Sequence, residues 1–200
     1  DSHRFRAEPR LLETQPGSYK LAVTAASEEA LSRVFITGVG VVSSIGIGKE
    51  AFYDGLLEGR SGISRVESFD PKELGREYAG EVKDFHARDF LTAAEARRAG
   101  RCSAMTLGAA RLAAQDAGLE AGALKGSRTS VVLGTTMGEA TLLAELDYAF
   151  IAKGVGAIKR AMIPKYGSTL LPIHVARAIG AEGMVLTLPD FRGRGYASSL

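Results

Sequence analysis

The sequence predicts an α/β fold, in which short buried strands alternate with helices. Apolar runs with a β-branched bias and the length of buried strands occur three times, at 34–37, 129–133 and 184–188. The first two run straight into glycine turns, which is typical of a strand end in a closely packed sheet. Between the runs, apolar residues recur at helical spacing over Lys49–Leu57, 93–117, 139–153 and Leu170–Ile179.

The first strand, turn and helix are the most informative part of the chain. The run 34–37 is broken by Gly38 and Gly40, and Gly59 stands where the C-cap of the helix Lys49–Leu57 is expected. These glycines do not form a dinucleotide-binding fingerprint, because the third glycine would fall at position 43, which is Ser. We expect a buried strand that enters a close-packed turn.

The stretch 93–117 predicts one long helix, ended by Gly118. Its alanines and Gly108 would let another backbone approach closely, so we expect it to pack against the sheet. Cys102 lies within it on an apolar face, where a cysteine behaves as a small hydrophobic residue rather than as a nucleophile.

Composition excludes several classes of function. The net charge of +2 on 200 residues gives no support to nucleic-acid binding, and no basic run suggests a membrane surface. No apolar stretch reaches the length of a membrane span. A single cysteine excludes an internal disulfide and fits a reducing compartment, so we expect the cytoplasm. We predict no metal site.

Several separated motifs carry a family resemblance. They are TGVGVVSSIG from Thr37, LLEGRSGI from Leu56, the Arg97, Arg98, Arg101, Ser103 and Met105 pattern, QDAGL from Gln115, and GTTMG from Gly134. In this order they resemble the β-ketoacyl synthases, the condensing enzymes of fatty-acid and polyketide synthesis. Over residues 34–189 the resemblance implies the N-terminal half of a thiolase-like (αβαβα) fold, a mixed sheet packed with helices. We expect the segments around Ile36, Val131 and Leu186 to share that sheet. Residues 1–33 lie outside the resemblance, as an extension or linker.

The resemblance also implies a binding site for an acyl chain. Met137 follows the second glycine turn at a position that lines the acyl tunnel in the family; an equally good interpretation is core filling at a strand end. The family resemblance makes Ile163, Leu170 and Leu171 further candidates for the pocket. We expect His86 to be solvated in a polar loop and His174 to be a core or interface histidine.

No catalytic residue is assigned. In the family the strand at 184–188 leads into a nucleophilic Cys at a helix N-terminus, which lowers the thiol pKa. Here that position is Arg192, and the two histidines that promote malonyl decarboxylation lie in the family's second half. We therefore expect an incomplete and inactive synthase. The family implies acyl carrier protein and a second ketosynthase subunit, as in a homodimer, as partners.

The last eleven residues suggest a different protein. Residues 190–200 resemble the acetyl-CoA loop of the GCN5-related N-acetyltransferases, whose backbone N–H groups cradle a pyrophosphate. The residues of this loop are Arg192, Gly193, Arg194, Gly195, Tyr196 and Ala197. A truncated or wrongly joined reading frame would explain this foreign tail. With half of the fold alone, a sheet face would be bare, and we expect poor solubility or dependence on a partner.

Two alternative functions stay open. The chain would be a non-catalytic partner, like the chain-length factors that pair with polyketide ketosynthases and lack the Cys. Against this, those proteins keep the glycine-rich helix after that position. Alternatively it would be an N-acetyltransferase that uses acetyl-CoA as its cofactor.

Overall fold

A computed structural model describes residues 34–120, 122–126, 128–165 and 167–189. The chain divides between Phe35 and Ile36, and the fold described below is that of the second unit. Its strands are β1 (Val42–Ser43), β2 (Gly46–Ile47), β3 (Ile63–Arg65), β4 (Tyr78–Gly80), β5 (Val131–Thr135) and β6 (Val185–Pro189). Its helices are α1 (Lys49–Leu57), α2 (Ala87–Phe90), α3 (Ala93–Arg98), α4 (Arg101–Asp116), α5 (Ala140–Lys153) and α6 (Leu170–Ile179).

The strands form three pairs in the part of the chain that the structure describes. Strands β5 and β6 are parallel, with Val131 opposite Val185 and Val132 opposite Leu186, and α5 and α6 lie between them along the chain. The pairs β1–β2 and β3–β4 are antiparallel. The predicted strands at 129–133 and 184–188 therefore come together, each displaced by one or two residues.

The predicted buried strand at 34–37 is wrong. These residues belong to no strand, and Val34 and Ile36 are 93% and 88% exposed. A strand needs a neighbouring backbone to satisfy its N–H and C=O groups, and an apolar β-branched run does not by itself specify that neighbour. The expected sheet thus includes the segments around Val131 and Leu186, but the segment around Ile36 does not join it.

The close packing predicted for Gly38 and Gly40 is confirmed, with the α4 region as its partner, although these glycines lie in an extended segment and not in a turn. A Cβ on Gly38 would lie 2.7 Å from the backbone nitrogen of Ala117, and one on Gly40 would lie 2.6 Å from that of Ala113. The Asp116 carboxylate accepts the N–H of Val39 at 2.9 Å and also pairs with Lys49. The alanine-rich face of α4 thus accepts the glycine backbone at distances that no larger side chain permits.

The prediction of one helix over 93–117 is wrong, because the chain breaks between α3 and α4. Helix α3 begins with a capping box, in which Thr92 and Glu95 bond each other's backbone N–H groups. Gly100 is extended and starts α4 without a side-chain cap. Glycine favours such a break because it adds no side chain and has a low helix propensity.

The hydrophobic core lies where α4 packs on α6 and α6 packs on β5. Its buried members are Phe85, Leu91, Ala104, Leu107, Val131, Val175 and Ala176. The rings of Phe85 and Phe90 stack with centroids 5.3 Å apart, and Phe85 fits against Gly108, where a Cβ would be 2.9 Å from the ring. The small residues of α4 therefore also make room for an aromatic ring.

Many apolar side chains stay exposed on the β5–β6 pair and on α5. On the strands Val132 is 55% exposed and Leu188 40% exposed; on the helix Tyr148 is 76% exposed and Ile151 80% exposed. Apolar side chains exposed in large patches are typical of surfaces that other groups cover. Within the described residues, no helix has the length and apolar character that crossing a bilayer requires.

Candidate functional site

The turn at 134–138 begins the predicted acyl site. Strand β5 ends at Thr135, whose hydroxyl accepts the N–H of Gly138 at 3.0 Å. Gly138 has φ +57°, and a Cβ there would lie 3.0 Å from the Cβ of Ser168. The turn therefore lies directly against the residues that precede α6, and only glycine fits both the left-handed conformation and the space. Met137 projects from this turn and is 72% exposed.

The other predicted lining residues differ in their burial. Leu170 begins α6 and is half-buried, whereas Leu171 is 1% exposed. Ile163 is 51% exposed, in a short 3-10 turn before α6. The contact of Gly138 with Ser168 brings the turn of Met137 to the beginning of α6. Four surface cavities of 310 to 590 Å³ lie elsewhere, and none of these four is lined by the predicted residues. The assignment of the four predicted lining residues to an acyl pocket stays a prediction.

Glu139 follows this turn, and the sequence analysis did not predict its structural role. Its side chain is 3% exposed, and its carboxylate accepts the N–H groups of Cys102 at 3.1 Å and Ser103 at 2.7 Å. These are orphan donors of the first turn of α4, so Glu139 caps that helix from a distance of 37 residues along the chain. A carboxylate at a helix N-terminus is favourably placed both as acceptor and as negative charge.

The thiol of Cys102 is in an environment that opposes nucleophilic chemistry. Burial raises its pKa, the nearby Glu139 carboxylate raises it further, and a hydrogen bond with Thr106 lowers it by less. The thiolate is the reactive form of cysteine, and these surroundings disfavour it. Although Cys102 is in the first turn of α4, the carboxylate has already taken the N–H groups that would stabilise an anion there.

The two histidines in the described part of the chain differ in their exposure to solvent. His86 is exposed at the start of α2, as expected. His174 lies on α6 with its Nε2 atom buried and without a hydrogen-bond partner among the described residues. Burial lowers the pKa of His174, and Arg177, Arg98 and Lys165 lower it further, against an opposing effect of Glu139. His174 is thus mainly neutral at pH 7.

One predicted feature lies outside the described residues. The acetyltransferase-like loop from Arg192 to Ala197, which includes the position of the family nucleophile, lies beyond the last described residue, Pro189. Across the described ranges, no group of three or more His, Cys, Asp or Glu side chains is arranged to hold a metal ion.

Comparison with known proteins agrees with this architecture. The sequence model of the family "Beta-ketoacyl synthase, N-terminal domain" matches residues 31–189. The structure of an ishigamide ketosynthase/chain length factor superposes with a TM-score of 0.72 at 31% identity, over 77% of this chain and 39% of that one. A type II PKS ketosynthase, solved in complex with its acyl-carrier protein, superposes with a TM-score of 0.60 at 24% identity, over 76% of this chain and 36% of that one. The fold is accordingly the N-terminal half of the thiolase-like α/β fold.

A curated relative indicates the same family. The 3-oxoacyl-(acyl-carrier-protein) synthase 2 of Synechocystis sp. is 32% identical over 151 residues, which are 76% of this chain. The chain belongs to the β-ketoacyl synthase family, through its N-terminal domain. It spans 36% of the length of the Synechocystis relative.

Proposed function

We propose that this chain provides the acyl-binding part of a β-ketoacyl synthase, without the chemical step. The parent reaction is a decarboxylative Claisen condensation of an acyl thioester with malonyl–acyl carrier protein, in fatty-acid or polyketide synthesis. The proposed wall of the acyl site comprises Met137, Ile163, Leu170 and Leu171. Its support is the contact between Gly138 and Ser168, which holds the turn of Met137 against the start of α6.

The proposed inactivity is supported by the chain's single cysteine, Cys102, which is neither at the family's nucleophile position nor in surroundings that favour a thiolate. A ketosynthase needs a thiolate that accepts the acyl group, and here the sequence has Arg192 at the position that the family resemblance assigns to it. Cys102 is no substitute, because burial and Glu139 raise its pKa. An acyl chain would therefore bind without forming a thioester.

The partners we propose are acyl carrier protein and a second ketosynthase subunit, in the cytoplasm. A complex of a ketosynthase with its acyl-carrier protein is among the similar structures, which supports the first partner by analogy of fold alone. The exposed apolar side chains of β5, β6 and α5 support the second partner, because a covering subunit would bury them.

A second candidate is a non-catalytic chain-length-factor-like partner. It is favoured by the likeness to the ishigamide ketosynthase/chain length factor at 31% identity. Both proposals assume that the chain has no nucleophilic cysteine. The second differs because it requires an intact ketosynthase as the partner. Stable co-purification with such an enzyme, together with an altered product length, would favour it over the first.

The acetyltransferase alternative depends on the sequence of residues 192–197 alone. Acetyl-CoA should then raise the melting temperature, and both Arg192→Ala and Gly195→Glu should abolish the shift. A shift that survives both variants would exclude this loop as the binding site, and no shift would exclude the alternative.

Photo-crosslinking tests the main proposal directly. A fatty acyl pantetheine thioester with a diazirine near the end of its chain should label the 134–138 turn and the start of α6, as located by peptide mass spectrometry. Met137→Ala should reduce the labelling, whereas Met184→Ala, which alters another exposed methionine (59% exposed), should not. Labelling that is spread over exposed apolar residues, and equally sensitive to both variants, would contradict the proposal.

A further inference from the structure

Glu139 joins three parts of the fold at one residue. Its backbone C=O accepts the N–H of Leu143 at 3.0 Å and so starts α5. Its φ and ψ of −87° and 57° are not helical, because it is the N-cap residue between the 134–138 turn and α5. Its carboxylate reaches α4 through the two bonds to Cys102 and Ser103.

Gly100, the residue before α4, leaves the space that this carboxylate occupies. A Cβ on Gly100 would lie 2.7 Å from Oε1 of Glu139 and closer still to Oε2. Gly100 offers no side chain that could cap α4 itself. Helix α4 is therefore capped by Glu139, which follows the turn of Met137, and not by a side chain at its own N-terminus.

Burial makes this contact stronger than a surface cap. Hydrogen bonds to an ionised group are roughly twice as strong as neutral ones, and the side chain of Glu139 is almost fully withdrawn from solvent. The two bonds therefore hold the Glu139 side chain against the first turn of α4.

We propose that Glu139 is a positioning residue, which fixes Met137 relative to α4 and thereby sets the depth of the acyl site. The assignment of Met137 to that site depends on the function proposed above. The covalent geometry leaves only Gly138 between Met137 and Glu139. A carboxylate anchored at two amides therefore restricts the turn on one side, and the contact of Gly138 with Ser168 restricts it on the other.

Hydrogen exchange with the intact chain tests the anchoring. Glu139→Gln keeps the size but loses the charge and one of the two acceptors. Amides of the 134–138 turn and of the first turn of α4 should then exchange about tenfold faster. The matched control is Glu145→Gln on the exposed face of α5, which should change nothing. Gly100→Ala should act like Glu139→Gln, since it displaces the carboxylate while leaving Glu139 in place.

The acyl diazirine probe supplies the second readout. In Glu139→Gln and Gly100→Ala the label should move from Met137 to neighbouring residues, and Glu139→Asp should partly restore the pattern because the charge is kept. Unchanged exchange in the turn would overturn the inference. So would an equal acceleration in the β3–β4 hairpin, which would indicate general destabilisation. If the unmutated chain takes no label, the proposed function fails, while the exchange data still decide whether Glu139 fixes the turn.

Discussion

Replacement of Gly40 by Ala should strongly destabilise the fold. The added Cβ would lie 2.6 Å from the backbone nitrogen of Ala113 and 2.9 Å from the carbonyl carbon of Ala109. These are backbone atoms of a helix, so they cannot move aside by a change of rotamer. Either α4 or the glycine segment must retreat by about 1 Å, which loses the close packing between them and costs about 3 kcal/mol.

Urea unfolding followed by circular dichroism measures this cost. The midpoint should fall with an unchanged m-value, and for a chain of this size about 3 kcal/mol corresponds to a melting temperature lower by about 6–12 °C. Gly156→Ala is the matched control, because no atom lies within 4 Å of its Cβ and its φ is not in the left-handed region. It should change the stability by less than about 1 kcal/mol. Equal effects of the two substitutions would refute the close packing of Gly38 and Gly40 on α4.

Three further predictions concern the core, the histidine and the thiol. Leu107→Ala, at a side chain 1% exposed, should cost about 3 kcal/mol, whereas Leu57→Ala, at one 70% exposed, should cost less than about 0.5 kcal/mol in the same unfolding assay. His174 has a lowered pKa when folded, chiefly through burial, so the unfolded chain binds its proton first. Stability should therefore be full above about pH 6.5 and decline as the pH falls towards the folded pKa, and His174→Gln but not His86→Gln should flatten that decline. Cys102 should react with iodoacetamide about tenfold more slowly than glutathione at pH 7.5, as followed by intact mass; a rate equal to that of glutathione would contradict the raised pKa.

Local sequence signals were sufficient where an element depends on its own residues. Helices α1 and α6 have the predicted bounds, because each has an amphipathic pattern followed by a glycine with positive φ, Gly59 and Gly180. The alanine-rich face of 93–117 also predicted a close approach of another backbone, which Gly38 and Gly40 provide.

Signals that depend on distant residues were not visible in the sequence. The segment 34–37 has the composition of a strand, but pairing requires a partner that composition does not name. The role of Glu139 depends on two amides 36 and 37 residues away. Gly100, inside a helical pattern, was the one available sign that the helix breaks there. The assignment of four residues to the acyl site depends on the family resemblance alone. An exposed Met137 and a buried Leu171 have no local sequence pattern in common that would indicate a shared site.

Intact-mass spectrometry of the chain with an acyl thioester tests the central claim most directly. If the chain is a ketosynthase scaffold without a reactive thiolate, its mass should stay unchanged while the diazirine probe still labels the turn of Met137. A stoichiometric acyl adduct on Cys102 that is released to a thiol acceptor would contradict the account.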